Sequence, residues 1–170
     1  MKDAAMALYN KKNEWLASQV DVEFPTSESI KGRALYLDAL TSRVLEPLLV
    51  AESASATIEW HLVDFHRLTI VFSLLQSKMW ENEETQSYIV EFLTQIILDP
   101  DYSLYVGFSE GEAVYAAIIC SEQDVVVVSD IVGASASMSN DDIALSLIHE
   151  TLNINLSDNS NLVDIWIEKR

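Results

Sequence analysis

Between Lys78 and Lys169 this chain of 170 residues has no lysine and no arginine, yet the same stretch carries 17 carboxylates. Residues 1–78 are close to neutral, with ten acids and eight bases, so the formal charge of −17 belongs to one continuous segment. Nucleic acids and anionic membranes are held mainly by Lys and Arg neutralising phosphates. The missing cations therefore argue against direct binding of DNA, RNA or a membrane surface. Cysteine is nearly absent too: Cys120 stands alone inside the apolar run Ala116-Ala117-Ile118-Ile119-Cys120, so no disulfide forms within the chain and a small buried hydrophobe is expected there. Met1-Lys2-Asp3-Ala4-Ala5 lacks the charged and apolar regions of a signal peptide. The longest apolar stretch, near Ile70, is broken by Ser73 and Gln76, short of the roughly 20 residues of a membrane span. A reducing, cytoplasmic setting is the expectation. No internal repeat or low-complexity tract is present.

What the chain does have is apolar content, 49%, enough for one compact domain with an appendage. Ala5, Leu8, Lys12, Trp15 and Leu16 recur at helical spacing, as do Ile30, Ala34, Leu37, Val44, Leu45 and Leu48. Two helices are predicted, joined through Pro25, with Ser27 capping the second and Pro47 kinking or restarting it near Glu46. Ser53-Ala54-Ser55-Ala56 reads as a linker. Residues 1–56 are thus expected to be a helical appendage and 57–170 the main domain.

From Thr57 the periodicity changes. Thr57 to Val63 alternates as a half-buried strand, and Asp64 caps a helix with Phe65, Leu68, Phe72, Leu75 and Met79 on its core stripe. Asn82 caps a second helix bearing Tyr88, Ile89, Phe92, Leu93, Ile96 and Ile97, which ends at Asp99-Pro100-Asp101. Strands Tyr102–Phe108, Ala113–Cys120 and Val125–Val132 follow, with connections short enough to force an antiparallel meander. Ser139 and Asp142 form a capping box for a helix carrying Leu145, Ile148, Leu152 and Leu156. The final strand, Leu162–Ile167, arrives through a helical crossover and should run parallel to an earlier one. The fold class is α+β, with a mixed sheet.

Strand, helix, helix, three-strand meander, helix, strand is an order that resembles the first part of the GCN5-related N-acetyltransferase fold. The residues that carry the likeness are the Val63-Asp64 step into a helix, the hairpin of Tyr102–Phe108 with Ala113–Ile119, and the apolar strand Val125–Val132. The resemblance implies a carboxylate base at Asp130, acetyl-CoA or acyl-CoA as cofactor, and a cofactor contact through the backbone of Val132, Gly133, Ala134 and Ser135. The family's Arg/Gln-x-x-Gly-x-Gly/Ala motif has no match, and only Gly133 with small neighbours occupies its place. Asp141 and Asp142 sit where a helix N-terminus would otherwise hold a diphosphate, with no Lys or Arg nearby in sequence to offset them. The chain also stops after the counterpart of the family's fifth strand, before the tyrosine that often serves as general acid.

Other constellations read as ordinary structure. Gly107-Phe108-Ser109-Glu110-Gly111 matches GxSxG, but a nucleophile elbow needs a helix after the serine and a strand follows here. His61, His66 and His149 lack the spacing of a metal site, and Asp158-Asn159-Ser160-Asn161 lacks the glycine and glutamate of a calcium loop, so no metal is expected. The leading expectation is a degenerate, non-catalytic acyltransferase-like domain, without cofactor, whose acidic surface engages a basic protein. An authentic acyl-CoA-dependent N-acyltransferase is the alternative, and an acidic inhibitor or nucleic-acid mimic the third reading. The last strand, with Trp166, is expected at a sheet edge and in need of cover, which points to a homodimer or a partner chain.

Overall fold

The computed structural model describes residues 2–48, 57–133, 138–152 and 163–170. Its elements are α1 (Lys2–Ser18), α2 (Ser27–Leu40), β1 (Val44–Pro47), β2 (Glu59–Leu62), α3 (His66–Ser77), α4 (Glu83–Leu93), β3 (Ser103–Ser109), β4 (Glu112–Glu122), β5 (Val125–Gly133), α5 (Asn140–Leu152) and β6 (Asp164–Lys169). The six strands form one sheet in the order β1-β6-β5-β4-β3-β2. Every neighbouring pair is antiparallel except β5 and β6, which are parallel, as a helical crossover requires. From β2 onward the order of elements is the one the sequence predicts.

The sheet is covered on both faces. Alternation along β4 sends Tyr115, Ala117 and Ile119 to one side, where Ile143, Leu147 and Ile148 of α5 pack on them. Ala116 and Ile118 face the other side, against Phe72 and Leu75 of α3 and Ile89, Phe92 and Leu93 of α4. Leu16 and Val20 from the first helix and its exit, and Tyr36 from α2, belong to that same cluster. Ala5, Leu8 and Tyr9 of α1 close a third cluster over Cys120, Val127 and Trp166.

These contacts correct the expectation of a separate N-terminal appendage. Val44–Leu48 does not continue a helix: β1 pairs with β6 from Val44↔Lys169 to Pro47↔Trp166, and Leu48 N–H donates to Ile165 O. The linker read at Ser53–Ala56 lies outside the described residues, as do Leu156 and the loop at Asp158–Asn161. The last strand is also not an edge. With β1 on one side and β5 on the other, and Trp166 buried, the ground for a second copy covering it is removed.

Local signals were partly displaced. Asn82 caps α4 by accepting from Thr85 N–H at 2.8 Å, and Ser139 accepts from Asp142 N–H at 3.2 Å, both at the expected positions. The cap of α2 is Thr26, not Ser27, and α3 starts after Phe65, whose side chain makes no cap bond. Phe65 and Met79 are exposed, Leu68 is half-buried, and Phe72 and Leu75 of that expected stripe are buried. At the β3–β4 turn Glu110 and Gly111 both have positive φ, 51° and 81°, the signature of a type I′ hairpin. Ser109 therefore ends a strand and starts a hairpin turn, which disposes of a nucleophile elbow.

Candidate functional site

The strand β5 does not alternate evenly. Val126 and Val128 face α5, and so does Ile131, three residues on. One extra residue has been inserted, and the pairing with β4 shifts between Ala116↔Val132 and Ile118↔Ser129. Asp130 takes up the insertion with φ of 54°, a left-handed conformation that Asp tolerates better than most residues. The bulge turns its carboxylate toward α1. Pairing of β5 with β6 ends at Val128↔Ile167, just before this point.

Four charged side chains meet there, all essentially without solvent contact: Lys12 of α1, Arg43 from the α2–β1 connection, Asp130 of β5 and Glu168 of β6. Lys12 Nζ donates to Asp130 Oδ2 at 2.6 Å, and Ser129 Oγ donates to the same oxygen at 2.8 Å. Tyr36 OH donates to Asp130 Oδ1 at 2.7 Å, joined by Arg43 at 3.1 Å. Arg43 also reaches Glu168 at 3.3 Å, and Tyr9 OH donates to the Glu168 carboxylate. Beyond the last paired residues, Glu168 Oε1 accepts from the backbone N–H of Asp130 at 3.0 Å, so a side chain stands in for a ladder partner. Gln76 of α3 donates to Asp130 O at 2.6 Å. Two cations balance two carboxylates, which is the condition for burying charge at all.

Aromatic rings line the cluster. Lys12 Nζ lies 4.9 Å from the Tyr9 ring centre and Arg43 lies 5.3 Å from that of Tyr36. Burial alone would push the Asp130 carboxyl up. The adjacent Lys12 and Arg43 charges, with hydrogen bonds from Lys12 and Tyr36, overcome that and hold it well below the usual carboxylate range. Burial first, then the neighbouring Glu168 charge, drives the Tyr9 hydroxyl far above its ordinary value of 10, and burial with Asp130 does the same to Tyr36. Nearby, burial lifts the Cys120 thiol to about 12, which makes it unreactive at neutral pH.

The tyrosines set an alkaline limit. Their folded-state values are raised, so their contribution to stability is complete below pH 10 and is lost as pH rises from there toward the folded values. Stability in urea is expected to fall from about pH 10 upward, and to fall less steeply in Tyr9→Phe/Tyr36→Phe, measured between pH 8 and 11. An identical slope in parent and variant contradicts this assignment.

Of the residues singled out from the sequence, Asp130 is thus at the centre of a cluster, but its oxygens already accept from Lys12, Ser129, Tyr36 and Arg43. No lone pair is left open for a substrate proton, and the carboxylate is fully ionised. The side chain of Val132 is core, packed with Phe92 and Ile118. Gly133 ends β5, where a Cβ would stand 2.9 Å from Ile143 Cδ1. Ala134 and Ser135 lie outside the described residues. His61, His66 and His149 are all exposed and apart, and among the described residues no group of His, Cys, Asp and Glu is arranged to hold a metal. Asp141 is not left without a cation: folding brings Lys169 of β6 into an ion pair with it, against the expectation drawn from sequence distance. Lys12, Arg43 and Glu168 were not foreseen as a site. The one legible sign was Lys12, a cation in the middle of an apolar helical stripe.

No family model matches the chain, and no curated protein sequence does. Among solved structures it is similar to a GCN5-related N-acetyltransferase from Kribbella flavida, at 11% identity and a TM-score of 0.41. The match covers 79% of this chain and 53% of that one, so the chain spans about half that protein's length.

Proposed function

We propose that this chain is a non-catalytic protein-interaction module, with an acyltransferase-like order of elements and an acidic surface that engages basic proteins. The observation that carries the non-catalytic part is the state of Asp130. The residue that the resemblance assigns as base is buried, ionised and fully hydrogen-bonded between two cations. A general base must reach the proton it removes and sit near the operating pH; this one does neither. The interaction part is supported by the stretch from residue 79 to 168, which has no Lys or Arg and, besides the buried and paired Asp130 and Glu168, carries 15 further carboxylates. Such a field raises the encounter rate with cationic partners and repels polyanions.

Calorimetric titration with acetyl-CoA and with longer acyl-CoAs tests the non-catalytic reading. No binding is expected up to millimolar cofactor. Sub-millimolar binding of any of them, accompanied by acyl transfer to an amine, overturns it in favour of an N-acyltransferase.

A further inference from the structure

The two edges of the sheet are built differently. In an antiparallel pair the residues take turns directing their N–H and C=O inward and outward. Leu48 N–H donates to Ile165 O, so along β1 it is Leu45 and Pro47 that face out, and Pro47 has no N–H to offer. That edge is blunted by proline. At the other edge Val63 N–H donates to Leu104 O, so the outward groups of β2 are those of Trp60 and Leu62. Both keep their N–H, and among the described residues no strand pairs with them.

Carboxylates flank this open edge at both ends. Glu59 is on β2 itself, and its partner Phe108 is one residue from the Ser109↔Glu112 pair that closes the β3–β4 turn. At the other end a cleft of about 430 Å³ is lined by Leu62, Asp64, Leu98, Asp99 and Tyr102. Leu62 and Leu98 are 46% and 37% exposed. The nearest basic side chains in sequence are His61, hydrogen-bonded to Glu59 at 3.0 Å, and Arg67 in the first turn of α3.

We infer that the β2 edge is the docking surface of this module and that it takes an extended basic segment of a partner protein as a seventh strand. The inference rests on the interaction reading above and names its surface. Backbone groups of Trp60 and Leu62 supply the ladder, the Leu62–Leu98 cleft takes an apolar side chain, and the flanking acids meet Lys or Arg on either side. The same acids set two copies of this chain against each other, which disfavours self-pairing at this edge.

The test uses the whole chain and a capped peptide in which four lysines alternate with three valines. Its controls are the same peptide with glutamate for lysine and one with proline for valine, which keeps the charge but cannot form a strand. Sub-millimolar binding of the Lys/Val peptide is expected, with amide shifts in NMR centred on residues 59–62 and weakening in salt. Leu62→Pro, which removes one outward N–H and leaves the β2–β3 bonds, should weaken binding at least about tenfold while the thermal midpoint stays near the parent's. Glu59→Lys/Asp64→Lys supplies the same readout if Leu62→Pro does not fold. Equal binding of the Pro peptide, shifts centred elsewhere, or self-association through residues 59–62 overturns the edge assignment while leaving the interaction reading standing. Absence of any binding by either cationic peptide overturns both.

Discussion

Asp130→Asn is expected to lower folding stability by about 3–5 kcal/mol, because it leaves Lys12 and Arg43 buried with a single carboxylate, Glu168, between them. Asparagine suits the test: it keeps the size of the side chain and tolerates the left-handed backbone at this bulge, so the loss comes from the missing charge and from an NH2 that must face donors where an oxygen accepted. Against a total stability of about 5–15 kcal/mol for an ordinary domain, the loss brings the variant close to unfolding. Lys12→Met should be destabilising by a similar amount for the opposite reason, an excess of buried negative charge. Combining the two restores balance between Arg43 and Glu168, so the double variant should be more stable than the sum of the single losses by about 1–3 kcal/mol. Urea unfolding of the four proteins reads all of this. Strict additivity, or an Asp130→Asn variant within about 1 kcal/mol of the parent, shows that the four charges do not act as a unit.

The second large effect concerns Gly32 in the middle of α2. Helix propensity alone predicts that Gly32→Ala stabilises by about 1 kcal/mol. Packing predicts the reverse. A Cβ at Gly32 would stand 2.0 Å from the carbonyl oxygen of Tyr88 and 2.7 Å from Phe92 Cβ, and the first of these is backbone that no rotamer change can move. The helices α2 and α4 must separate, and Phe92 is in the core they share with the sheet. Overpacking of this kind costs about 3 kcal/mol or more, which exceeds the propensity gain. At about 2–4 °C per kcal/mol for a chain of this size, the melting midpoint should fall by about 4–8 °C. A rise in the midpoint would mean that the two helices are not in contact at this glycine.

Much of the fold was legible because its signals are local. The turn at Glu110-Gly111, the cap at Asn82 and the apolar strand Ala113–Cys120 each depend on a few adjacent residues, and each is found where expected. The failures share the opposite property. Val44, Leu45 and Leu48 fit a helical stripe as well as a strand, and what makes them a strand is β6, more than a hundred residues away. Asp130 attracted notice through a family resemblance, which supplied a base. Its actual partners, Lys12 of α1, Tyr36 of α2 and Arg43 of the α2–β1 connection, are linked by no local pattern. Arg43 and Glu168 gave no sign at all, since a charged residue beside an apolar run ordinarily faces water. Only Lys12, out of place in its stripe, pointed inward.

The separation of these partners along the chain has a consequence for synthesis. Arg43 and Glu168 are 125 positions apart, and Lys12 and Asp130 are 118 apart. At about 5–20 residues per second, the ribosome adds Glu168 roughly 6–25 s after Arg43. During that interval Arg43 has no Glu168 to bind and β1 has no β6 to pair with, so neither contact can form on the nascent chain. The first strand therefore waits for the last strand, and the closing of the charge cluster is a late, non-local step of folding.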